Sequence, residues 1–362
     1  MSKPKKTPAI TLKTVQEFTL KNAIYLVLII LVLIVAVLRP RFVGIVFSAE
    51  RGHYIFNFQL FLQNIRNILS MSATRIIIAM GMGAVLITGG VDLSAGRSVG
   101  LAAVISASLL QMTEYSRRMY PDLPVLPLVI PILIAMLVCA VWGFLNGLVI
   151  TKLKVPAFIA TLGAMVAIFG ANSLYFDRPP YGAQPIGGLD RRFVSLGTGY
   201  IGFDGVYSIP YIVIIAAVVS VITWVLFNKT TYGKNIYAIG GNAEAARVSG
   251  VNVTLTLVMV YTIAGLLYGL GGSLEAARSG GATNSYGFGY ELDAIAACVV
   301  GGVSNLGGIG TVPGIVIGVL IFSVINYGLT FVGMSPYWQQ IVKGAIIIAA
   351  VALDIRKYLA KR

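Results

Sequence analysis

AIYLVLIILVLIVAVL, Ala23–Leu38, runs for 16 residues without a charge and is closed by Arg39 and Pro40. A run with no polar face has nothing to turn toward water, so it reads as a membrane span. The rest of the chain repeats the pattern. A spanning helix needs roughly 20 mostly apolar residues to cross a hydrocarbon core about 30 Å thick, and such windows recur through residues 23–353. Of the 362 residues, 57% are hydrophobic and 11% charged, and the mean hydropathy is +0.86. That apolar share exceeds what soluble domains carry. The expected fold is all-α and polytopic, with some helices broken or re-entrant and no soluble domain of useful size.

Outward from the first run, its basic approach has the layout of a secretory signal, but RPR at 39–41 stands where a small-residue cleavage site belongs. The run is therefore read as an uncleaved first span. Further windows fall at 65–88, 99–110, 125–149, 158–175, 210–227, 255–270, 294–300, 312–325 and 341–353. Counting every window gives about ten spans. The segment 294–303 either crosses or re-enters, and re-entry leaves an odd number. The net charge of +14 is scattered over short loops and two tails, which suits a lipid bilayer and argues against nucleic acid as a partner. Lys3, Lys5, Lys6, Lys13 and Lys21 at one end, and Arg356, Lys357, Lys361 and Arg362 at the other, put both termini in the cytoplasm of a multi-pass protein. The layout is a basic tail 1–22, one transmembrane domain 23–355 with a cytoplasmic loop 228–252, and a basic tail 356–362.

GGVDLSAGRSVG, 89–100, interrupts this apolar background. A carboxylate near the bilayer centre costs at least about 2.5–3.5 kcal/mol, and irregular backbone survives there only against protein or a wet cavity. Gly89, Gly90 and Gly96 allow a sharp break and close helix approach, Ser94 can cap the helix that restarts, and Asp92 favours its positive end. Two readings stay open. The stretch is a tight cytoplasmic turn, with Asp92 a solvated cap and Arg97 a positive-inside residue, or it is a broken helix lining a solute path. LITGGVDLSAG (86–96) and CVVGGVSNLGG (298–308) share GGVxxxxG after an apolar run, either by chance among many glycines or as an internal repeat.

The acids Glu275, Glu291 and Asp293 sit in LEAARSGGATNSYGFGYELDA (274–294). Its polarity suggests a hydrated outer loop or vestibule, although buried acids could also carry protons or sodium. Asn284, Ser285 and Tyr286 suit a sugar without specifying one. In the loop 228–252, Asn242 is a helix cap, Glu244 falls in the first turn, Ala245 and Ala246 favour helix, Arg247 follows, and Gly250 stops it. This short helix lies outside the membrane, with Val248 and Val251 exposed unless a partner, or the lipid surface, covers them. No GxxxxGK[ST] string, nucleophile elbow, zinc-ligand helix or paired catalytic carboxylates occur, so neither an enzyme nor an ATP site is expected in this chain. Cys139 and Cys298 read as buried free thiols, and the lone His53 gives no metal site.

TGGVDLSAGR (88–97), YGKNIYAIGGNAEAARVSGVN (232–252), ELDAIAACVVGGVSNLGGIGT (291–311) and INYGLTFVGMSPYWQQIVKGAIIIAAVALD (325–354) together make the chain similar to the permease subunits of bacterial ABC importers for monosaccharides. Within that family it most resembles the galactose and methyl-galactoside branch, ribose or xylose being alternative cargoes and an ion-coupled sugar transporter the alternative mechanism. The resemblance implies an inner-membrane homodimer, a cytoplasmic ABC ATPase holding ATP and magnesium, and a periplasmic sugar-binding protein. It implies that residues 242–250 form the helix coupling to the ATPase, and that the break at 89–97 packs around the path. Glu275 and Asn284, from the polar stretch read above, are further path candidates. Residues 45–61 and 178–200 depart from the family pattern and are expected to face the binding protein.

Overall fold

The computed structural model describes residues 23–48, 53–179, 182–202 and 208–359. The basic tail 1–22 and residues 360–362 of the other tail lie outside the described residues.

The first apolar run is helix α1, Ala23–Leu38, ended by the Arg39-Pro40 step and a short 3-10 turn, Pro40–Val43. A hairpin follows, β1 (Ile45–Ser48) antiparallel to β2 (His53–Phe56). The Asn57 side chain accepts from Leu60 N at 2.9 Å and opens α2, Phe58–Ile87. Then come α3 (Ala95–Leu109), α4 (Val129–Lys152), α5 (Ala157–Phe176) and α6 (Arg191–Thr198). The two-residue strands β3 (Tyr200–Ile201) and β4 (Ile209–Pro210) pair before α7, Tyr211–Lys229. The remainder is α8 (Thr231–Gly241), α9 (Ala243–Val248), α10 (Val253–Ser279), α11 (Tyr290–Val300), α12 (Val312–Val332) and α13 (Pro336–Leu359). Among the described residues, these two small ribbons and two isolated bridges interrupt an otherwise helical chain.

Six of these helices, α2, α4, α5, α7, α10 and α12, are long and apolar enough to cross a membrane, and α3 is a shorter apolar helix. The protein is thus a polytopic helical membrane protein. Residues such as Phe158, Val166, Val218 and Ile222 on α5 and α7 are exposed, a surface that suits lipid and would be a liability in water. Helix limits overrun the expected windows at several ends. The break in particular is shorter than its sequence suggests, because Ala95, Gly96 and Arg97 already belong to α3.

The centre is built on α10, which packs against α2, α3 and α4. Gly143 and Gly147 of α4 lie against the backbone of Tyr261 and Val258, and Gly265 and Gly269 of α10 lie against the backbone of Cys139 and Met136. Each helix thus contributes a GxxxG pair that lies against the backbone of a neighbouring stretch of the other, the small-residue device by which helices approach closely where lipid removes any hydrophobic drive to associate. Both cysteines are free and buried, as expected. With 27 residues, α10 is about 40 Å long. Near its finish, Ile186 and Ala282 bridge and Asp190 caps α6. Hydrogen bonds from Arg192 to the Asp190 carboxylate hold that group below the usual carboxylate range.

Candidate functional site

The interruption at 88–94 leaves α2 through a Schellman cap. Gly89 takes φ +77°, its N–H donates to Leu86 O at 2.8 Å, and Gly90 N donates to Val85 O at 3.1 Å. The positive φ is what calls for glycine there. Asp92 then turns inward and is 1% exposed. Its Oδ1 accepts from Ser94 N at 2.9 Å and Ser94 Oγ at 2.5 Å. Asn146 of α4 donates to Ser94 Oγ at 3.0 Å, and Leu93 N donates to Thr161 Oγ1 of α5 at 3.1 Å. Two expectations are corrected here. Asp92 is no solvated turn residue, since burial with this set of partners puts it inside the protein. Ser94 occupies the N-cap position of α3 but makes no capping bond, because its hydroxyl is spent on Asp92.

On the first turns of α3, Gly96 lies against Gly287 O and the Glu291 carboxylate. Arg97 stacks its guanidinium over the rings of Phe169 (4.4 Å) and Phe288 (5.1 Å). Asn284 is tied to α5 through Ser173 Oγ at 3.2 Å.

The second glycine string ends α11 in the same way, with Gly302 N donating to Val299 O and Val303 N to Cys298 O, both at 2.9 Å. The left-handed residue is Gly302, φ +86°, not Gly301, which the GGV alignment pairs with Gly89. The shared string is one capping device displaced by a residue. The two strings also meet. Gly308 N donates to Ile87 O at 2.8 Å, and Gly307 lies beside Gly89. Gly240, near the end of α8, is wedged into this junction: a Cβ there would strike Ile87 O and stand 2.5 Å from Gly308 N. Tyr237 of the same helix donates to Gly310 O at 2.9 Å. One joint therefore gathers both interruptions and the end of α8.

From that joint only Gly241 and Asn242 lead to α9. Asn242 Oδ1 accepts from Ala245 N at 3.0 Å, Glu244 pairs with Arg247 at 2.8 Å, and Gly250 closes the helix at φ +86°. Ala246 is the anchor, buried among Ile239 and Val253. Val251 packs against the same cluster, which corrects its expected exposure; Val248 is 90% exposed as expected. Asn242→Ala should cost about 1 kcal/mol of local stability, read as faster amide exchange confined to 243–250. Unchanged exchange would show that the cap does not hold the helix.

Near the middle of α2 lies a second polar assembly. Glu275 is 3% exposed, and its carboxylate accepts from Arg278 at 2.7 Å, Thr74 at 2.8 Å and Tyr290 at 3.0 Å. Asp293 pairs with Arg75 at 2.7 Å and Lys343 at 3.1 Å, and Arg75 lies 4.7 Å from the Tyr290 ring centre. The expected hydrated loop around Glu275 is thus replaced by the buried last turns of α10. Sequence reading missed Thr74, Arg278 and Lys343 as members. The one signal was charge inside apolar windows, with the i,i+3 spacing of Glu275 and Arg278.

Residues 64–351 match the family described as branched-chain amino acid transport system, permease component. The chain is 49% identical over 354 residues to the galactose/methyl galactoside import permease protein of Escherichia coli (strain K12), covering 98% of this chain and 99% of that one. It is 51% identical over 342 residues to the protein of the same name in Haemophilus influenzae, covering 94% and 96%. The ribose import permease protein of Bacillus subtilis (strain 168) is 38% identical over 335 residues, covering 92% of each chain. No solved structure matches. The chain carrying this glycine joint belongs to the family of branched-chain amino acid transport system permease components.

Proposed function

We propose that the chain is the translocation subunit of an ATP-driven importer of galactose and methyl galactoside in a bacterial inner membrane. The observation that carries this reading is the 49% identity, over 98% of the chain, to a relative of that printed function. In this reading α1, α3, α11 and α13 join the six long helices to make about ten spans within residues 23–355, and the basic tails lie in the cytoplasm. Two copies of the chain enclose the path. The chain performs no chemistry: ATP and magnesium are held by a separate cytoplasmic ATPase, and a periplasmic binding protein delivers the sugar.

The geometry supplies a way to couple the two. A partner seated on α9 would grip Glu244, Ala245, Arg247 and Val248, the exposed residues of that helix. Because only two residues separate α9 from the joint, displacement of α9 would reach the breaks at 88–94 and 301–311 together. Asp92, Ser94, Gly96 and Arg97 then respond as part of the path. Glu275 favours this reading over an ion-coupled carrier, since its carboxylate is already occupied by three donors.

Uptake of labelled galactose at micromolar concentration, with and without the chain, tests the proposal. Loss on deletion and competition by methyl galactoside are expected, and unchanged uptake would overturn it; competition by ribose or xylose instead would transfer the chain to another sugar. Glu244→Lys with Val248→Asp should lower uptake about tenfold at an unchanged membrane level. Normal uptake would remove α9 from the coupling role.

A further inference from the structure

The ribbon β1–β2 carries an aromatic face that no other part of the chain covers. Across it Ile45 pairs with Phe56 and Phe47 with Tyr54. The two pairs lie two residues apart along each strand, so all four side chains share one face. Ile45, Phe56, Phe47 and Tyr54 are 36%, 59%, 54% and 65% exposed. Phe47 and Tyr54 meet edge to face at 5.3 Å. Phe58, at the start of α2, extends the patch: it is exposed, and its ring centre lies 6.3 Å from that of Phe56. A contiguous patch of this kind marks an interaction surface.

Its height relative to the bilayer follows from what its root is bonded to. Arg39 donates at 3.2 Å to the carbonyl of Val332, the last residue of α12. Phe42 packs on Tyr327 and Phe331 of that helix, with ring centres 6.0 and 5.8 Å away. With 21 residues, α12 is about 30 Å long, the thickness of the hydrocarbon core. The chain therefore leaves α1 at the edge of that core. Asn64 of α2 donates to the carbonyls of Arg41 and Phe42, both at 3.0 Å, and Asn57 N donates to Gly44 O at 2.7 Å, which clamps the root of the ribbon at the same level. Phe47 and Tyr54 stand one pair farther along, about 7 Å. A headgroup layer is about 5–8 Å deep. Upright or lying flat, the ribbon keeps its aromatic face in that layer.

The backbone agrees. Among the described residues neither outer edge of the ribbon pairs with a further strand, and open edges are excluded from hydrocarbon because their N–H and C=O groups need water. An apolar face beside wet edges is satisfied together in the interfacial layer, where aromatic side chains collect. Val37 and Leu38, at the end of α1, are exposed as well, so lipid reaches the foot of the ribbon. A protein could cover the face only by entering the layer that headgroups fill.

We propose that β1–β2 is an interfacial foot, its aromatic face seated among the lipid headgroups and holding the junction of α1 and α2 at a fixed height. The leaflet is the outer one if the tails are cytoplasmic, and nothing in the inference depends on the cargo. The occupant of this face is thus a lipid surface, in place of the binding protein expected there.

The permease carrying Tyr54→Cys is labelled with a nitrobenzoxadiazole dye and reconstituted with its ATPase into phosphatidylcholine vesicles. Cys139 and Cys298 are buried and do not compete. A nitroxide on the lipid headgroup should remove most of the emission, and iodide in the buffer little of it. Emission open to iodide but not to the nitroxide would put the face in water and overturn the proposal. Emission that neither reaches would give the face to a second copy of the chain, and emission withdrawn from the nitroxide on adding the binding protein would give it to that partner; both overturn it. Phe47→Asp with Phe56→Asp in the labelled chain should reverse the pattern, losing the nitroxide effect and gaining the iodide effect. An unchanged nitroxide effect in that variant would show that the spans alone set the height and that the aromatic face anchors nothing.

Discussion

Valine at Gly240 should reduce uptake to about a tenth or less while the chain still reaches the membrane. The atoms that a Cβ would meet are Ile87 O and Gly308 N, both backbone. No side chain can swing aside to make room, so the hydrogen bond between them, 2.8 Å long, must open. Overpacking of this kind costs about 1–3 kcal/mol. That cost falls on the joint rather than on the spanning helices. The neighbouring Gly241 has nothing within 4 Å of its Cβ position, and Gly241→Ala should leave uptake intact. Uptake per unit of membrane-inserted protein separates the two. Equal behaviour of the two variants would show that the tight meeting of α8 with the two breaks has no functional weight.

Removal of the Glu275 side chain is the second large effect. Glu275→Ala strips Arg278, Thr74 and Tyr290 of their shared acceptor and leaves a cation in the bundle without its partner. Breaking one member of a buried pair costs about 3–5 kcal/mol, whereas replacing both by apolar groups is often neutral. Thermal unfolding in detergent should therefore fall sharply for Glu275→Ala and recover in part when Arg278→Met is added. A proton- or sodium-carrying role predicts the reverse pattern: stability kept, uptake lost, and no recovery in the double variant.

What could be read from sequence follows the range of the interactions involved. The α9 helix was legible because its start at Asn242, its first-turn Glu244 and its stop at Gly250 all act over a few residues. Asp92 was not. Its burial depends on Ser94 being held by Asn146 and on the adjacent backbone bonding to Thr161, groups from other helices that spacing cannot bring together. The matching glycine strings advertised a common device, yet their contact through Ile87 and Gly308 depends on how the helices pack. Glu275 was misplaced for a related reason: the small and polar residues after it look like loop, while α10 continues to Ser279, where Gly272 lies against Val99 of α3 and Gly197 of α6 lies against the backbone of Ala277 and Arg278. Arg75, Asp293 and Lys343 come from three helices, and a single chain written out in order carries no mark of their pairing.

Each helix of the segment 230–255 begins on its own side chain: Thr230 accepts from Gly233 N, Asn242 from Ala245 N and Asn252 from Leu255 N. The segment thus carries its own folding instructions and behaves as a cassette. Its receptacle is external, made of the Ile87 carbonyl and the glycines at 307 and 308. In chimaeras between related permeases, success would then turn less on which cassette is inserted than on whether the host chain keeps that socket open.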